Sequence, residues 1–146
     1  MRFSLYMETT MIPAEKTAAE ITHLLVDTGA DQIYSRYANK KVVGLSFTLS
    51  FQGKSVPFCL PVRTKPIFDH LQKKRAPVYR DRKKPFDLEQ AERVAWRQLY
   101  RWVQAQLALI DTGMVQPVEV FMPYYEVAPG VTMFQKAEEN GRLLTA

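Results

Sequence analysis

Nine residues from Val43 to Phe51 alternate without a break: Val43, Leu45, Phe47, Leu49 and Phe51 against Gly44, Ser46, Thr48 and Ser50. A period of two over that length is a strand with one apolar face, and an apolar face must be covered. Gln52-Gly53-Lys54 supplies a hairpin turn, and Val56, Phe58, Leu60 and Val62 form the returning strand. Pro57 and Pro61 fall on its other face, which suits an edge strand or one about to leave the sheet. Gln32–Ala38, with Ile33, Tyr34 and Tyr37, reads as a preceding strand joined through Asn39-Lys40-Lys41.

The cover for this sheet is legible further along. Asp87 has the chemistry of an N-cap with Gln90 three residues later. Leu88, Ala91, Ala95, Leu99, Trp102, Val103, Leu107 and Ile110 then make one apolar stripe that Gly113 ends. Arg93, Arg97, Arg101 and Gln104 fall near the opposite side of that helix. Leu99 lies mid-stripe, and Trp96 and Trp102 are expected in the core. Thr17 and Glu20 have capping-box spacing, followed by Ile21, Leu24 and Leu25, which predicts a helix over 17–28 ending at Gly29. Residues 3–10 alternate loosely and read as a first strand. The apolar tail around 118–125, broken by Pro117, Pro123 and Pro129, is expected to dock as a strand or short helix. The predicted class is α+β: an antiparallel sheet in β-α-β-β-β-α order with a long amphipathic helix on one face. A single domain over 1–146 is expected, with a basic loop or short helix at 63–86.

Charge is what distinguishes that last segment. From residue 63 to 84 the chain carries nine basic residues against Asp69 and Asp81, a net of +7. The other 124 residues hold eleven basic and thirteen acidic groups, a net of −2. A concentrated positive segment attracts polyanions because each neutralised phosphate releases counterions. Arg63, Lys65, Lys73, Lys74, Arg75, Arg80, Arg82, Lys83 and Lys84 are the candidate phosphate contacts, with Tyr79 as a base-stacking side chain. Tyr34, Arg36 and Tyr37 interleave aromatic and basic character in the same way, although one of the two tyrosines is expected in the core.

The chemistry of catalysis is thinly represented. One cysteine, Cys59, excludes an intramolecular disulfide and a thiolate cage, and with only His23 and His70 besides, a structural zinc site is nearly excluded. Cys59 falls on the outer face of a strand, and His23 and His70 read as structural helix residues. Glu8, Glu15, Asp27 and Asp31 lack nuclease spacing, and the six glycines are scattered singly, so no phosphate loop is present. Leu24–Asp31 resembles the Asp-Thr-Gly signature of retroviral-type aspartic proteases. That family approaches its Asp along a strand, whereas the approach to Asp27 is Ala-rich and helical. A second copy, Asp111-Thr112-Gly113, ends the long helix, so both read as helix stops and Asp27 is not expected to be catalytic. No cofactor and no metal are expected. No secretory signal and no apolar run of membrane-spanning length occur, so a cytoplasmic protein is expected.

The α-β-β-β-α stretch has the element order of double-stranded RNA-binding domains. From Thr17 onward the chain also resembles a family of small, mostly uncharacterised phage and prophage proteins. The residues carrying this are Glu15-Lys16-Thr17, Glu20-Ile21, Gly29-Ala30, Val56–Pro61, Ala91-Glu92-Arg93, Trp96-Arg97, Ala105-Gln106-Leu107, Gly113-Met114 and Phe121–Tyr124. The resemblance implies a place beside replication and recombination genes, as a single-strand binding or annealing factor. It equally implies an inhibitor that binds a host nuclease or CRISPR effector. Two partner classes follow: nucleic acid, single-stranded favoured, or a nucleic-acid-processing protein.

Overall fold

A computed structural model describes residues 4–79 and 87–141. The order is α1 (Ala14–Asp27), β1 (Ile33–Ala38), β2 (Lys41–Phe51), β3 (Lys54–Pro61), α2 (Thr64–Tyr79), α3 (Leu88–Asp111) and α4 (Pro117–Phe121). A 3-10 turn (Met122–Tyr124), β4 (Glu126–Ala128), β5 (Val131–Thr132) and α5 (Met133–Asn140) follow. The class is α+β, with antiparallel strands in the spatial order β1-β2-β3.

Both hairpins turn on two residues at positive φ, Asn39 (51°) with Lys40 (64°) and Gln52 (52°) with Gly53 (77°). That is the twist a two-residue hairpin needs to match its strands. Ile33, Leu45, Phe47, Leu49, Val56, Phe58 and Leu60 share the face that α1, α3 and α4 cover. The pairing of β1 with β2 steps from Arg36–Gly44 to Tyr37–Val42, so Val43 is an extra residue on β2. This bulge turns Val42 into the core while Val43 stays exposed.

Asp87 caps α3 as its sequence predicts, accepting a 2.8 Å hydrogen bond from the Gln90 backbone N–H. Trp96 is fully buried and donates its indole N–H to the Val42 carbonyl at 3.4 Å. Phe121 closes the core against Phe47, Phe58 and Trp102. Trp102 and Leu99 are only partly buried, because they line a shallow groove with Tyr124. The stripe's first residue, Leu88, is exposed.

Three further expectations are corrected. The described part of 3–10 is a turn, with Met7 at φ 53°, and not a strand. Its backbone groups are taken by α3 side chains: Gln98 bonds both the N–H and the carbonyl of Tyr6, and Gln90 donates to the carbonyls of Glu8 and Thr10. Two glutamines do the work of a neighbouring strand. Helix α1 begins at Ala14 after Pro13, so Thr17 lies inside it, fully buried, and caps nothing. Arg97 does not face solvent but is 5% exposed, with one guanidinium nitrogen on Thr17 and Glu20. That contact joins the first halves of α1 and α3, while Asp27 and Asp111 line one groove at their ends. The two helices therefore run side by side in the same direction. The tail docks as short helices and strands, as expected, and adds α5, which was not anticipated.

Candidate nucleic-acid interface

The basic segment is a sixteen-residue helix over most of its length, longer than the loop or short helix its composition suggests. Pro66 sits in its first turn, where a missing N–H costs nothing. Ile67, Phe68 and Leu71 recur on one side and pack on Ala91 and Val94 of α3, with Leu5. Lys65, Asp69 and Lys73 follow one another at four-residue spacing, so they form a single row away from that contact. Arg63, immediately before the helix, is exposed, as are Lys65 and Lys73.

Lys65 reaches Asp69 at 3.1 Å, but the two side chains are 81% and 48% exposed. Such a surface pair holds its cation weakly, about 0.2–1 kcal/mol, and leaves it available to a stronger anion. Lys74, Arg75 and Tyr79 are carried by the same helix. Arg80, Arg82, Lys83 and Lys84 lie outside the described residues. His70 is half-buried on α2 and His23 is exposed on α1.

A second cluster of cations is matched by carboxylates. Around the β1–β2 turn, Lys40, Lys41 and Arg93 face Glu15, Glu89 and Glu92 across one groove. Lys41 bonds Glu92 at 2.9 Å, and Arg93 lies 3.5 Å from Glu89. The hydrogen bond and charge of Glu92 hold the Lys41 ammonium above its ordinary range. This groove is electrically balanced, with three cations against three carboxylates.

Both candidate stacking residues on β1 are exposed, Tyr34 at 61% and Tyr37 at 58%, where one had been expected in the core. The reason is position: β1 is an edge strand, and from Tyr34 to Ala38 all of it is exposed. Arg36, on the same outer face as Tyr34, donates to the Cys59 Sγ at 3.0 Å, and the Ser46 hydroxyl lies 3.3 Å from that sulfur. Cys59 is on the outer sheet face, as expected, but is buried. Gly44 lies opposite Arg36, and a Cβ there would sit 2.6 Å from the Leu60 carbonyl oxygen.

The twin Asp-Thr-Gly sequences build one and the same helix end. Gly29 (φ 100°) donates to Val26 and Ala30 to Leu25; Gly113 (φ 83°) donates to Ile110 and Met114 to Leu109. Each is a Schellman motif that only the glycine's backbone freedom allows. The hydroxyls of Thr28 and Thr112 bond back to Leu24 and Leu109. Both aspartates thus sit at negative helix ends, so Asp27→Lys is expected to raise stability by about 0.3–1 kcal/mol in a urea melt at low salt. A loss of stability there would show that Asp27 makes a favourable contact in solution.

Among the described residues no three His, Cys, Asp or Glu side chains are grouped to hold a metal ion, and no helix is long and apolar enough to cross a membrane. Comparison of the chain with protein-family models, with curated proteins and with solved structures finds no match.

Proposed function

We propose that this is a non-enzymatic nucleic-acid-binding protein of the cytoplasm, which grips phosphates through the basic segment and favours single strands. One observation carries the reading. Helix α2 spends its apolar side on α3, which leaves Lys65 and Lys73, with Arg63 just ahead of them, exposed. Lys41, Arg93 and Arg97, by contrast, each lie against a carboxylate. Tyr79, at the end of α2, supplies a ring on which a base can stack.

Contacts to phosphate carry no sequence information, so affinity should change little with base order. It should fall steeply with salt, by about 0.7 log units per log unit for each phosphate held on a single strand. Replacing Arg63, Lys65 and Lys73 together by Ala should flatten that slope by about two. Tyr79→Ala should weaken single-strand binding by about 1–3 kcal/mol. Fluorescence anisotropy with labelled single- and double-stranded oligonucleotides over a salt series measures all of these. Absence of binding at low salt would overturn the reading and turn attention to an acidic protein partner.

A further inference from the structure

The geometry points to a second copy of this chain as the occupant of the open edge of β1, paired antiparallel about a two-fold axis through Ser35 so that two sheets join into one. The two edges of the sheet are treated differently. At β3, the tail returns to bridge Phe58 with Tyr125. At β1, no strand among the described residues pairs with the outer edge. An open edge is a row of unpaired backbone donors and acceptors.

Which backbone groups are free follows from the ladder. The Thr48 N–H donates to the Gln32 carbonyl at 3.0 Å, so Gln32 faces β2. Antiparallel pairing alternates, so Ile33, Ser35 and Tyr37 turn their N–H and carbonyl groups outward. The bulge is on β2, at Val43, and leaves β1 itself regular.

The sequence Ile33-Tyr34-Ser35-Arg36-Tyr37 complements its own reverse. With the axis on Ser35, Tyr34 stands opposite Arg36 of the second copy on the outer face, twice, as an aromatic–guanidinium pair. Ile33 stands opposite Tyr37 on the helix side, twice, and Ser35 meets itself in a hydrogen-bonded pair. All three outward-facing residues are then used. An axis on Arg36 would set that residue against its own copy at about 4.5 Å between Cα atoms, two like charges face to face. An axis on Tyr34 would pair only Ile33, Tyr34 and Ser35 of the strand. The two large exposed rings of β1, at 61% and 58% exposure, are thereby covered.

This proposal is independent of nucleic-acid binding and is tested on nuclease-treated full-length protein by sedimentation velocity over a concentration series. The wild type should move from the mass of one chain to that of two. Tyr34→Lys places a cation opposite Arg36 and should keep the protein monomeric at every concentration reached. Tyr34→Glu places a carboxylate there and should retain the dimer. Ser35→Pro deletes an N–H that β2 does not use, and should also give a monomer. Circular dichroism of Tyr34→Lys, at an exposed position, shows whether loss of the dimer is loss of fold. A wild type that stays monomeric overturns the proposal. So does a dimer that survives both Tyr34→Lys and Ser35→Pro, since it must use another surface.

Discussion

Phe121→Ala is expected to cost about 3–5 kcal/mol, the range of a large aromatic removed from a core that cannot close over the space. Phe121 is fully buried and meets three rings: Phe47 edge-on at 5.2 Å, Phe58 at 6.1 Å and Trp102 edge-on at 5.9 Å. Phe47 and Phe58 are stacked on each other at 5.5 Å and held by paired strands, so neither can swing into the void. The loss also loosens α4 and the tail beyond it, whose Tyr125 closes the β3 edge. Phe121→Leu keeps most of the volume and should cost less than about 1.5 kcal/mol. Phe134→Ala, at a position 43% exposed, should stay within about 0.5 kcal/mol. Leu99→Ala should fall well below Phe121→Ala, because Leu99 lines a groove already open to water. Urea unfolding monitored by circular dichroism ranks the four. If Phe121→Ala costs under 1 kcal/mol, the aromatic cluster is not the centre of the fold.

What could be read from the sequence, and what could not, divides by the range of the interactions. The β2–β3 hairpin was legible because its alternation, its turn and its return strand lie within twenty residues and each fixes the same face. Asp87 was legible because a cap and its N–H partner are three residues apart. The matched helix ends at Gly29 and Gly113 were legible because glycine alone meets the backbone demand. Residues 3–10 misled because their loose alternation says nothing of Gln90 and Gln98, eighty or more residues away, whose amides occupy the backbone groups a strand partner would take. The fifth helix was missed although Thr132 and Gln135 form a capping box and Gly141 (φ 64°) ends it. Tyr34 and Tyr37 were read by strand alternation, which assigns a face but cannot tell an edge strand from a central one. For the candidate interface, net charge located the segment, while the burial of Ile67, Phe68 and Leu71 that orients its cations depended on α3.

Thr17 and Glu20 hold the second large effect. The same spacing that imitates a capping box places both side chains one helical turn apart, where they receive the Arg97 Nη1 at 3.2 and 3.0 Å. The guanidinium also stacks on Tyr100 at 4.2 Å from the ring centroid. The two partners are not equally dependent on the bond: the Arg97 side chain is 6% exposed and that of Glu20 is 36% exposed. Glu20 left alone can turn to water, whereas Arg97 left alone is a charge held in the core. Breaking a buried pair costs about 3–5 kcal/mol, and partial access of water to Glu20 puts Glu20→Leu near the lower limit, about 3 kcal/mol. Arg97→Met removes the buried charge while keeping an unbranched apolar chain between α1 and α3, so it should cost less, about 1–2 kcal/mol. The double replacement should lie close to Arg97→Met alone, because the penalty of Glu20→Leu exists only while the guanidinium is present. Urea unfolding of the four proteins in one buffer measures the cycle. An Arg97→Met cost larger than that of Glu20→Leu would show that the ion pair binds the helices directly, and that the desolvated charge is not the source of the penalty.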